Sequence, residues 1–162
     1  MLQSDSANPL SMKLPILLCL LSASALVAAA PATSTPARPV PPMDKFRLGS
    51  WEDDIGYRQA VRVGDTLYIS GIAAAGAMPD AIKSVYGELQ QVLAHYGLTF
   101  AHVVKENAYT TDLEALKASL AVRRAVYGRD FPAATWVQVS RLYEPAQVLE
   151  VELIAVFPAT GK

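Results

Sequence analysis

The sequence predicts an α+β fold: one mainly antiparallel sheet with two helices on one of its faces. Three observations predict it. Strand-type and helix-type patterns follow one another in the order ββαβαββ, so helices interrupt the strands in only two places. The first two strands are separated by Gly64-Asp65, a hairpin-sized link. The last strand is apolar at every second position, which makes one sheet face that must be covered.

The elements are taken in chain order. Tyr57 to Val63 and Thr66 to Ser70 are β-type runs, and Gly64 supplies the positive φ that their tight turn requires. Gly71 ends the second run, and AAAGAMP is expected as an irregular connection. Asp80 is placed to cap a helix, in which Ile82, Val85, Leu89, Val92, Leu93 and Tyr96 recur at helical spacing before Gly97 stops it. Val103 to Thr110 reads as a strand. Thr111-Asp112-Leu113-Glu114 has the capping-box pattern, with Thr111 as the cap. The helix that follows is expected to bury Leu113, Leu116, Leu120 and Tyr127 and to stop at Gly128, with Arg123-Arg124 as a solvated stretch. Strands Ala134–Arg141 and Val148–Phe157 close the unit. No internal repeat is present.

The chain has 162 residues, with 14 Lys+Arg against 15 Asp+Glu. The length suits one domain. A net charge of -1 argues against a nucleic-acid partner, which calls for a basic face. The first forty residues differ from the rest. Met12-Lys13 precedes an apolar stretch from Leu14 to Ala30 that ends in Ala28-Ala29-Ala30, a signal-peptidase pattern. Residues 1–30 are therefore expected to be an export signal, with Met12 as an alternative start. The product would be periplasmic or secreted, with no membrane contact after cleavage. The competing reading is a retained N-terminal anchor, but spanning takes about 20 apolar residues and Pro15, Ser22 and Ser24 interrupt this stretch. Residues 31–43 form a Pro-rich spacer, and residues 44–162 the folded domain. Cys19, the only cysteine, lies in the leader, so the domain has no thiolate nucleophile and no sulfur ligand.

On the last strand, Leu149, Val151, Leu153, Ala155 and Phe157 share one face. Val148, Glu150, Glu152, Ile154 and Val156 share the other. The second face is too apolar for plain solvent and too charged for a core, which points to an interface or a pocket. The expected consequence is a homo-oligomer whose sheets face one another, with both glutamates in or near the seam. Glu150 and Glu152 should lie about 6.5–7 Å apart, a spacing at which a carboxylate pair can position a water and hold a proton. The alternative is that each pairs with a Lys or Arg from a neighbouring strand or subunit. His95 and His102 are the only histidines and have no metal-ligand spacing, so no metal site is expected. No nucleophile elbow and no Gly-rich phosphate loop occurs.

GYRQAVRVGDTLYISG, VVKENAYTTDLEAL and FPAATWVQVSRL…LEVELIAV, in that order, resemble the Rid family of RidA/YjgF-like proteins. The resemblance spans about Gly56 to Val156. It implies a chorismate-mutase-like fold, a homotrimer with small-molecule ligand sites between subunits, and cofactor-free hydrolysis of reactive enamines and imines to ammonia and a carbonyl product. Matched by position, Glu150 is the catalytic, water-holding glutamate, and Tyr57, Ser70, Gly71, Ala134, Thr135 and Trp136 are substrate-binding positions. Arg58 and Glu152 are further candidates. The family's carboxylate-binding arginine is replaced by Ala134, and Trp136 is expected to narrow the cleft. An alanine can make no bidentate contact to a carboxylate. The implied function is hence a hydrolase whose substrate differs from 2-aminoacrylate. A non-catalytic trimeric binder of small molecules is the alternative.

Overall fold

The computed structural model describes residues 42–159. The expected export signal and nearly all of the expected spacer lie outside the described residues. Six strands form one sheet: β1 (Met43–Phe46), β2 (Ala60–Val63), β3 (Thr66–Ala75), β4 (Val103–Thr110), β5 (Ala133–Gln138) and β6 (Gln147–Val156). Their order across the sheet is β1-β2-β3-β6-β4-β5. Only β4 and β5 pair in parallel. The helices are α1 (Trp51–Ile55), α2 (Met78–His95), α3 (Leu113–Ala118) and α4 (Leu120–Tyr127), with a 3₁₀ turn at Phe100–His102.

The hairpin between β2 and β3 forms as the sequence requires. Val63 pairs with Thr66, and Gly64 sits at φ 60°. The alternation on β6 divides the two faces: Leu149, Val151, Leu153 and Ala155 are buried against the helices. They meet α2, whose Ile82, Val85, Leu89, Val92 and Leu93 are fully buried. Burying one such side chain contributes about 1.5–3 kcal/mol, so this seam between α2 and β6 carries much of the core.

Several elements depart from the expected pattern. β1 and α1 precede the first expected strand. β1 lies antiparallel to β2, and α1 fills the span between them. The run expected to be irregular after Gly71 continues as strand to Ala75, because β6 stays paired with it through a register shift between Ile69 and Ile72. α2 starts at Met78 rather than after Asp80; Ala77 is its cap residue, without a side-chain bond, and Pro79 fits the first turn, where its missing N–H goes unneeded. Asp112, not Thr111, caps the second helical region, its Oδ1 accepting from the Ala115 amide at 2.9 Å. The Thr111 amide is already committed to the Val148 carbonyl. That region breaks at Ser119 into α3 and α4. Leu116 and Tyr127 are buried as expected, whereas Leu113 and Leu120 are half-buried.

Arg123 is buried, against the expectation of a solvated stretch. Its Nε donates to Oε1 of the fully buried Glu106 at 2.8 Å. Tyr86 and Tyr127 hydroxyls donate to the other oxygen, both at 2.8 Å, and the Trp136 indole donates to Oε1 at 3.0 Å. Four donors around one carboxylate lower the cost of removing it from water. Burial, then the Glu106 charge, pushes both tyrosine hydroxyls up, so they stay protonated donors. The cluster ties β4, β5, α2 and α4 together on the helix side of the sheet.

Candidate active site

A cleft of about 480 Å³ opens at one end of the sheet, within the range of small-molecule sites. Glu150 of β6 reaches it from the sheet, and Ser70, Gly71 and Ala73 of β3 form its floor. Leu48, Trp51, Ile55 and Tyr57 form an apolar wall from α1 and its flanks, and Tyr143 and Gln147 contribute from the β5–β6 connection.

The Glu150 carboxylate lies over Gly71. A Cβ added to Gly71 would stand 2.8 Å from both Cγ and Cδ of Glu150, so only glycine leaves room for this side chain. The register shift in β3 at this point is what brings Ser70 and Gly71 across from the glutamates. Ser70 is fixed by its neighbours: its amide donates to the Gln59 carbonyl at 2.9 Å, its carbonyl accepts from Gln59 Nε2 at 2.9 Å, and its hydroxyl donates to the Arg58 carbonyl at 2.7 Å.

The two glutamates differ in surroundings. Glu152 Oε1 accepts from Asn107 Nδ2 at 2.7 Å and from the Tyr109 hydroxyl at 3.2 Å. Among the described residues of the chain neither glutamate is in an ion pair. Burial first, and the nearby Glu152 charge second, pushes the Glu150 carboxyl above its ordinary value. Burial, Glu52 and Glu150 push the Tyr57 hydroxyl up in the same way, which keeps it a neutral donor beside the cleft.

The wall exists because of a residue that the sequence reading passed over. Glu52 is fully buried, and its carboxylate accepts from the amides of Leu48 at 2.6 Å, Gly49 at 3.4 Å and Gln59 at 2.8 Å. Its carbonyl accepts from the Gly56 and Tyr57 amides. This one residue closes the loop around α1 and turns Trp51 toward the cleft. The signal was present as Ser50-Trp-Glu-Asp-Asp-Ile-Gly56, a polar residue, acidic first turn and glycine stop.

Of the expected positions, Glu150, Tyr57, Ser70 and Gly71 converge on the cleft. Ala134, Thr135 and Trp136 do not line it within one chain. They lie on the edge strand β5, where Ala134 pairs with Glu106 and Trp136 with Ala108, so both face the helices. Within the chain the Trp136 indole is held by Glu106 and its ring lies 4.9 Å from the Arg123 guanidinium. Thr135 faces the other way and accepts from Lys105 Nζ at 2.7 Å. Arg58 does not line the cleft either; it pairs with Asp53 at 2.6 Å and donates to the Tyr57 carbonyl.

Residues 52–157 match the family model described as Endoribonuclease L-PSP. A curated relative, the 2-iminobutanoate/2-iminopropanoate deaminase of Dermatophagoides farinae, is 29% identical over 109 residues, covering 62% of this chain and 84% of that protein. The RutC family protein UK114 of Drosophila melanogaster is 32% identical over 111 residues, covering 62% and 78%. Among solved structures, a member of the YjgF/YER057c/UK114 family from Mycobacterium tuberculosis superposes with a TM-score of 0.66 at 26% identity, covering 71% of this chain and 99% of that one. A YjgF-family protein from Neisseria meningitidis, at 22% identity and a TM-score of 0.65, shares the fold.

Proposed function

The chain belongs to the Endoribonuclease L-PSP family, the YjgF or Rid family of its relatives, and from that membership we propose that it hydrolyses reactive enamines or imines to ammonia and a carbonyl product. The observation that carries the reading is Glu150: a half-buried carboxylate over Gly71, without an ion-pair partner, whose proton affinity is raised by burial. A carboxylate in that state is a stronger base than one in water. In the proposed step a water bonds to the carbon of the protonated imine, its proton passes to Glu150 Oε, and the C=N π pair moves to nitrogen, which gives the neutral carbinolamine. The carbinolamine then takes the proton back on nitrogen and expels ammonia, and the carbonyl forms as its own proton leaves with that ammonia as ammonium. The named deaminase activity of the Dermatophagoides farinae relative supports the reaction class.

The substrate is proposed to differ from 2-aminoacrylate, because Ala134 offers no guanidinium for a carboxylate. Trimer formation is part of the proposal. It is supported by the sheet face away from the helices, which leaves Met43, Tyr68, Val137 and Val156 exposed. A homotrimer would cover that face and set β5 of one copy near the cleft of another. Export to the periplasm or beyond remains the proposed location, on the leader pattern alone. RNA cleavage is disfavoured by the net charge of -1 and by Glu88 and Glu150, which both line the cleft.

The test supplies enzyme-generated imines, with and without carboxylates, to the domain and reads ammonia. Release above the spontaneous rate supports a hydrolase. No acceleration on any imine leaves a non-catalytic binding protein as the better reading.

A further inference from the structure

The charge inside the cleft carries one step more. Among the described residues of one chain its lining contains Glu88 and Glu150 but no Lys, Arg or His. Arg58, next to Tyr57 in the chain, is paired with Asp53. Lys105, on the open sheet face, gives its ammonium to Thr135. Opposite the carboxylates stands an aromatic wall. Trp51 is 49% exposed although it is the largest apolar group of α1, and its ring centroid lies 5.7 Å from that of Tyr57 at 57°. An exposed indole costs solvation unless something covers it. Its presentation is enforced by the buried Glu52 carboxylate rather than left to a free loop.

We propose that this cleft selects cationic, carboxylate-free ligands with an apolar body, the iminium form of an imine, with Trp51 and Tyr57 as the aromatic wall and Glu150 and Glu88 as counter-charge. This rests on the imine reading above for its substrate class, and names the selectivity of the same site. The physical grounds are separate contributions of the same sign. A cation over an indole or phenol face is attracted by the ring quadrupole, and more so when water is excluded. Two carboxylates favour a cation and repel an anion. A carboxylate-bearing imine would bring a negative charge next to Glu150 without any guanidinium to offset it. Trp51 is then a specificity-determining residue: it touches the ligand and leaves the proton transfers to Glu150.

Binding and turnover are separable in the test. Calorimetric titration of the protein with phenyltrimethylammonium, and with benzoate as its anionic counterpart, needs no reaction. The cation is expected to bind at least about tenfold more tightly than benzoate, and Trp51→Leu is expected to weaken the cation by about fivefold or more, and by more than it weakens benzoate. Should Trp51→Leu fail to fold by circular dichroism, Glu88→Gln at the exposed rim takes its place, with an expected loss of about twofold or more for the cation alone. Equal or tighter binding of benzoate would overturn the proposal, as would cation affinity indifferent to both substitutions. If the cation preference appears but no imine is hydrolysed, the selectivity stands and the hydrolase reading falls. If imines are hydrolysed but carboxylate-bearing ones are preferred, the reverse holds.

Discussion

Glu150 and Glu152 stand two residues apart on one strand face, yet they have different surroundings. Glu152 is tied to Asn107 and Tyr109; Glu150 leans over Gly71 into the cleft. The raised proton affinity of Glu150 has a consequence for stability. A group whose folded pKa lies above its unfolded value adds stability below the unfolded value, here near 4.5, and loses it as pH rises through the folded value. Glu150→Gln should therefore raise the melting temperature at pH 7 and leave it unchanged near pH 4, as read by thermal unfolding at both. Gly71→Ala should displace the carboxylate, since its Cβ would press on Glu150 Cγ and Cδ at 2.8 Å. The expected result is a folded protein that has lost Glu150-dependent activity, checked by circular dichroism beside the ammonia assay. The shared face of Glu150 and Glu152 was legible because the period-2 alternation of a strand assigns faces without knowledge of the fold, whereas Gly71 was expected at the cleft only from the family resemblance. The role expected of Trp136 was taken from position in a family pattern, and its contact with Glu106 within the chain was not legible. The pairing of β5 with β4, which turns it toward Glu106, is a parallel contact that no local pattern encodes.

Among elements, the long, strongly periodic ones were legible and the short ones were not. α2 and β6 follow from their spacing of buried residues. α1 has five residues and owes its existence to the Glu52 carboxylate accepting from amides on both sides of it. Such a tertiary cap leaves only a weak trace in the sequence. The break at Ser119 is similar. It allows α4 to aim Arg123 inward at Glu106, a carboxylate on the buried face of β4 beside Ala108 and Thr110. An inward-facing glutamate on an alternating strand was the available signal for that cluster. Removing one partner of a buried pair leaves the other uncompensated. Arg123→Met should thus cost about 3–5 kcal/mol in chemical denaturation, with no change in the cleft's charge.

For the whole molecule, the helix face is saturated and the opposite face is not. The exposed Met43, Tyr68, Val137 and Val156 lie on a sheet whose two glutamates need a partly dry setting. The trimer reading predicts three times the mass of the domain in static light scattering, and a stable monomer at micromolar concentration would remove its basis. Glu150, Gly71, Tyr57 and Trp51 line one cleft within a single chain. The most direct measurement is the initial rate of ammonia release from carboxylate-free imines, with wild type and Glu150→Gln side by side. The account predicts acceleration over the spontaneous rate, reduced by about 10²–10⁴-fold in Glu150→Gln. Acceleration that survives Glu150→Gln unchanged would contradict it.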